Sequence, residues 1–115
     1  VIDYKTGKPK TRNEILGATK NSDGAYYRQL VFYKILIDEY YDGRVTMQNA
    51  TLDFLEPDAD SGKCKKESFE ITNSDAVELK QKIVEVAHEI RNLDFWNKRC
   101  GDADCKYCSL RDLMI

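Results

Sequence analysis

No stretch of this 115-residue chain is apolar over the roughly 18 residues that a membrane-spanning helix needs, and no basic-then-apolar leader opens it. A membrane partner is therefore not expected, and a cytoplasmic address is. Internal repeats and low-complexity tracts are absent, which leaves a globular unit. There is one histidine, His88, just off the apolar stripe of a predicted helix, where an exposed or satisfied side chain is the plain reading. An excess of positive charge is missing too: the net charge is -2. The basic residues are nevertheless unevenly placed, with Lys5, Lys8, Lys10, Arg12 and Lys20 near the start, and a local field can serve a nucleic acid where the sum does not. An initiating Met is absent as well, and the chain opens on VIDYKTGKPK.

What is present suits one unit over residues 1–115, a core over 1–96 and a Cys-rich tail over 97–115, with 42% hydrophobic residues to build the core. A short strand opens the chain, and a polar loop follows over 6–24. The spacing of Tyr26, Leu30, Tyr33, Ile37 and Tyr41 predicts a helix that stops at Gly43. Phe32 and Ile35 fall off that stripe, which predicts burial on more than one side. From Arg44 the period changes to two through Val45 and Met47, then Ala50, Leu52 and Phe54, with a phase slip near Gln48 and Asn49 that suggests a bulge. ESFEIT completes an antiparallel hairpin across a turn-rich segment. A second amphipathic helix follows, capped by Thr72, Asn73 or Ser74, with its stripe at Leu79, Ile83, Val86, Ala87 and Ile90. The expected class is α/β, an α+β mixed sheet with two main helices, a β-hairpin and the tail.

Alternation on the opening strand puts Asp3 and Lys5 on one face and Ile2 and Tyr4 on the other. A phosphodiesterase needs a hard oxygen for a divalent cation and a positive group where charge builds on the phosphate, and this pair supplies one of each. An Asp-x-Lys spacing is common by chance at solvated strand edges. Gln29 and Tyr33, four apart on one helix face, add weight, although Tyr33 also lies on the apolar stripe and could be core.

An Asp-Tyr-Lys strand followed by a helix bearing Q-x-x-x-Y resembles the RecB-type branch of the PD-(D/E)XK nuclease superfamily. LDFLEPD, FEIT, EIRNLDFW and KRCGDADCKYCSLRDLM are similar to the last part of the nuclease domain fused to UvrD/Rep-type superfamily 1 DNA helicases. The resemblance implies a partial restriction-endonuclease-like core that hydrolyses DNA with Mg²⁺ or Mn²⁺, and the helicase portion of the same polypeptide as a partner. Asp3 would be the acidic metal ligand, with the Tyr4 carbonyl beside it; Lys5 would orient the attacking water or steady the phosphate. Gln29 and Tyr33 would support the catalytic side chains, and Lys8, Lys10 and Arg12 would touch DNA phosphate, or else form a solvated loop.

In that family a further metal-binding acidic residue precedes the Asp-x-Lys strand, so the chain reads as starting inside the fold. One carboxylate holds Mg²⁺ poorly. The chain alone is therefore expected not to cleave DNA at a useful rate, and its unpaired strand edge to favour self-association. Cys100, Cys105 and Cys108, spaced C-x4-C-x2-C, suit a zinc or iron–sulfur site, with Cys64 one candidate for the fourth ligand. Reduced thiols are the plain alternative. The rival functions are a non-catalytic DNA-binding or helicase-docking module stapled by a cysteine metal site, and a small zinc-stabilised interaction domain.

Overall fold

The computed structural model describes residues 1–40 and 42–113, and among them no helix is long and apolar enough to cross a membrane. Tyr41, the last position of the first predicted stripe, and the final two residues of the tail lie outside the described residues. The chain divides into two compact units, residues 1–81 and 82–115.

The first unit is built on a three-stranded mixed sheet in the order β1 (Ile2–Lys5), β2 (Asn49–Phe54), β3 (Lys66–Glu70). β1 runs parallel to β2, with Asp3 opposite Leu52 and Lys5 opposite Phe54, while β3 returns antiparallel to β2 as the predicted hairpin. A parallel pair needs a crossover. Here it is made by α1 (Arg12–Ile15) and α2 (Ala25–Tyr40). The central strand has the most neighbours to bury it, and Ala50, Leu52 and Phe54 are fully buried with Ile15 and Leu30. Val31, Met47, Phe69 and Ile71 complete the cluster, and Leu79 packs against it. Each fully buried large side chain contributes about 1.5–3 kcal/mol.

Four sequence expectations change in detail. The loop after β1 contains α1, a helix of four residues, too short to show a period; its signal is the capping box in which Thr11 and Glu14 bond each other's backbone N–H. Thr11's backbone and hydroxyl hydrogen bonds hold the Glu14 carboxyl below its ordinary range. Gly17 lets the chain turn back against Gly24, since a Cβ at Gly17 would lie 2.7 Å from the Gly24 nitrogen.

Residues 44–48 form neither strand nor bulge, because side chains of α2 hold this segment instead of a ladder. Met47 N–H donates to Asp38 Oδ1 at 2.9 Å, and Lys34 Nζ donates to Met47 O at 2.7 Å. α2 buries one broad side: Ile35 is buried but Phe32 is exposed, as is Leu36 one turn on, so the predicted burial on more than one side is not what α2 shows.

α3 (Asn73–Arg91) begins with Thr72 as its cap, the Asp75 carboxylate accepting the Thr72 N–H at 2.8 Å. Leu79 reaches the first unit's core, whereas Ile83, Val86 and Ile90 of the same predicted stripe are exposed. In the second unit a 3₁₀ turn (Asp94–Asn97) and α4 (Lys106–Asp112) are tied by Arg111, whose Nη1 donates to Trp96 O at 2.8 Å and Lys98 O at 2.9 Å. Arg99 grips Asp112 through two bonds of 2.9 and 2.7 Å.

Candidate functional site

β1 carries its charges on the inner face and its apolar side chains on the outer one. Ile2 and Tyr4 are exposed, while the side chains of Asp3 and Lys5 retain only 17% and 15% of their surface. The parallel register explains this: Asp3 and Lys5 share a face with their β2 neighbours Leu52 and Phe54, over which α2 packs. Placing a carboxylate and an ammonium there costs desolvation unless each is paired and hydrogen-bonded.

The pairing is a closed ring of four side chains. Lys5 Nζ lies 2.7 Å from Asp3 Oδ2 and donates to Gln29 Oε1 at 2.6 Å. Gln29 Nε2 donates to Tyr33 Oη at 2.8 Å, and the Tyr33 hydroxyl donates back to Asp3 Oδ1 at 3.3 Å. Alternation on β1 makes the Asp3–Lys5 link, the helical i, i+4 spacing makes the Gln29–Tyr33 link, and the β1–α2 packing makes the two between strand and helix. The Tyr26 ring takes the remaining side of Lys5, its centroid 4.5 Å from Nζ. Asp3 Oδ2 is buried and makes no hydrogen bond beyond its ion pair with Lys5, so it is the oxygen of this ring with lone pairs to offer a cation. A hard carboxylate oxygen fits Mg²⁺ or Mn²⁺, both of which need several more oxygens from water, phosphate or protein.

The basic loop splits in two. Lys10 Nζ lies 4.5 Å from the centroid of the same Tyr26 ring, and Lys8 is exposed in the same loop. Arg12 is turned away to the hairpin, stacked 4.2 Å from the Phe69 ring centroid with its Nη1 on Ser68 O at 3.0 Å. It holds α1 to β3.

In the second unit, Cys100, Cys105 and Cys108 place their sulfurs within 4.8 Å of one another, with Cys100 and Cys108 3.6 Å apart. Thiolates bound tetrahedrally to zinc at about 2.3 Å would sit about 3.8 Å apart. Gly101, at φ 79°, and an Asx turn in which Asp104 N–H donates to Asp102 Oδ1 fold the four intervening residues so that the cysteines converge. The Cys108 backbone N–H, a hydrogen bond from Cys100 and the Tyr107 N–H hold the Cys105 thiol below its usual value. For Cys100, the Asp102 backbone N–H pulls the thiol down but its two cysteine neighbours outweigh it and push it up. Cys64 belongs to the first unit, where its Sγ is 3.6 Å from Leu55 O.

Two contributors were hidden in the sequence. Tyr26 read as one more core aromatic, yet its ring seats Lys5 and Lys10. Lys34, which the sequence pattern did not single out, is only 3% exposed, bonded to Met47 O and paired with Asp38 at 2.9 Å. Its signal was the i, i+4 acid on a helix followed by a segment without a ladder. Burial raises the Asp38 carboxyl, but the hydrogen bonds from Lys34 and Met47 outweigh it and leave the group below its ordinary value.

No curated protein and no solved structure matches this chain. The family model for the PD-(D/E)XK nuclease superfamily matches residues 1–113. Members of that superfamily hydrolyse phosphodiester bonds with divalent metal ions, and the mixed α/β sheet is consistent with their restriction-endonuclease-like fold. A sheet of this topology, carrying an Asp-x-Lys pair on its inner face, is joined over nearly the whole chain by the family match: the protein belongs to the PD-(D/E)XK nuclease superfamily.

Proposed function

We propose that residues 1–115 are the C-terminal portion of a RecB-type nuclease domain in a helicase–nuclease, acting in metal-dependent hydrolysis of DNA during repair or recombination. The observation that carries the reading is the ring Asp3–Lys5–Gln29–Tyr33, which joins the strand pair and the helical pair that sequence placed 24 residues apart (29 minus 5). Asp3 would hold Mg²⁺ or Mn²⁺ through Oδ2, with the Tyr4 carbonyl next to it. The ion supplies Lewis acidity toward the scissile phosphate and lowers the pKa of a bound water.

The chain's own residues do the rest. Gln29 Oε1 and the Tyr26 ring hold Lys5 independently of its ion pair with Asp3, so Lys5 would stay in place if Asp3 Oδ2 held a cation. Its ammonium would then stabilise the negative charge that builds on the phosphate in the transition state. Gln29 and Tyr33 are positioning residues: Gln29 fixes Lys5, and Tyr33 fixes the rotamer of Asp3 through Oδ1. Lys10, and Lys8 beside it, would contact the DNA backbone, and Arg12 would serve α1 more than the substrate.

The converging thiols favour a metal staple in the tail, Zn²⁺ or an iron–sulfur cluster, whose fourth ligand would come from outside the three cysteines. The same cluster supports the second reading, a non-catalytic DNA-binding or helicase-docking module. Cleavage separates the two. In the polypeptide that carries this chain, Asp3→Asn and Lys5→Met should each lower Mg²⁺-dependent DNA cleavage at least about 100-fold while leaving ATP hydrolysis intact. Full cleavage in both variants would sink the catalytic assignment, and absence of ATP hydrolysis would sink the helicase one.

A further inference from the structure

Tyr26 stands in the first turn of α2 and shares a helix face with Gln29 and Tyr33. Its ring packs on that of Phe54, with centroids 6.3 Å apart, and Phe54 is fully buried opposite Lys5 in the β1–β2 register. The core thus anchors an aromatic side chain next to the Asp3–Lys5 pair. Two ammoniums use it. Lys5 Nζ and Lys10 Nζ each lie 4.5 Å from the Tyr26 centroid, so they are at most twice that distance apart, inside the Debye length of about 10 Å at 0.1 M salt. Lys5 has the Asp3 carboxylate as its counter-ion at 2.7 Å. Lys10 is exposed and makes no ion pair among the described residues; its partner is the ring.

The kind of seat decides what each lysine can do. A carboxylate fixes an ammonium and cancels its charge. A π face attracts the same ammonium through the ring quadrupole and leaves the charge whole. Lys10 is therefore held in place while keeping a full positive charge, and that is what an anionic backbone needs from a protein. A freely solvated lysine would lose its rotamer freedom on binding, and a seated one has given up part of it already.

We infer that Tyr26 is a positioning residue that carries two ammoniums on one ring, Lys5 for the scissile phosphate and Lys10 for a second phosphate of the same DNA strand. The inference rests on the reading of the Asp3 site as one that cleaves DNA, and it adds a physical link between grip and cleavage. The strand held by Lys10 is brought to Lys5 because one side chain seats both. Gln29 fixes Lys5 alone, so only Tyr26 joins the two tasks.

The full chain is titrated, without added metal, with a fluorescently labelled oligothymidine at several salt concentrations, and cleavage is followed in the polypeptide that carries the chain. Lys10→Met should weaken binding about 3- to 10-fold and lower the slope of log Kd against log salt by about 0.7, the share of one phosphate contact to a single strand. Tyr26→Leu removes the π face and should reproduce that loss, after which Lys10→Met should add less than about 2-fold. Tyr26→Phe keeps the face and should bind within about 2-fold of the wild type. In cleavage, Lys10→Met should act on KM, whereas Tyr26→Leu should also lower kcat about 3- to 30-fold through Lys5, and Tyr26→Phe should restore it. Circular dichroism checks the fold of Tyr26→Leu, and Lys10→Met tests the grip at an exposed position without touching the core. Tyr26→Phe as damaging as Tyr26→Leu, fully additive losses in the double variant, an unchanged salt slope in Lys10→Met, or no binding would each overturn the proposal. Cleavage that survives Asp3→Asn would sink the nuclease reading instead, and the metal-free titration would still judge Tyr26.

Discussion

Removing Gln29 should expose how the site is held together. Its amide bridges Lys5 and Tyr33 directly, accepting from one at 2.6 Å and donating to the other at 2.8 Å. A hydrogen bond to a charged partner contributes about 1.5–3 kcal/mol when both groups leave water, and a neutral one about 0.5–1.5. Lys5 keeps 15% of its side-chain surface, little enough that solvent screening removes only part of this. A double-mutant cycle with Gln29→Leu and Lys5→Met should therefore give a coupling energy of about 1–2 kcal/mol. The assay is urea unfolding at pH 7 followed by far-ultraviolet circular dichroism, with slopes compared to confirm that the unfolded states match. A coupling below about 0.3 kcal/mol would mean that the two side chains act independently. The ring would then be a crowd of neighbours and not a unit.

Other consequences are open to measurement. Lys34→Met leaves Met47 O without its donor and Asp38 without its partner, and should cost about 2–4 kcal/mol with faster amide exchange over residues 44–48; wild-type exchange there would refute the clamp. Because Asp38 is lowered in the folded state, its contribution is complete above its unfolded value of about 4 and drains as pH falls through the folded one. Asp38→Asn should flatten that acid limb, and an unchanged limb would place the pH dependence elsewhere. Anaerobically purified protein should carry about one equivalent of zinc or an iron–sulfur chromophore, lost together with tail order in Cys105→Ser, whereas metal-free protein with an ordered tail would favour reduced thiols.

The parts legible in sequence were those written in local periods. Alternation put Asp3 and Lys5 together, and the i, i+4 rule put Gln29 and Tyr33 together. What no local pattern announces is that the two pairs meet, because that depends on β1 lying parallel to β2 beneath α2. The same limit hid α1, whose one turn has a cap but no period, and the irregular path through Met47, which a buried lysine supports where a strand was expected. Lys34 shows the physical cause: a long side chain reads as solvent-seeking until tertiary packing supplies both its acceptor and its counter-ion. The cysteine convergence was visible from spacing alone, because a single glycine and an Asx turn close it locally.

The most direct measurement follows Mn²⁺ into the protein by its paramagnetic broadening of amide signals. Asp3 Oδ2 is the buried oxygen without a hydrogen bond, so substoichiometric Mn²⁺ should broaden residues 3–5 first, then Gln29 and Tyr33, and excess Mg²⁺ should reverse the effect. In Asp3→Asn that focus should vanish. Broadening centred elsewhere, or unchanged in the variant, would contradict the assignment of Asp3 as the metal ligand of a nuclease site.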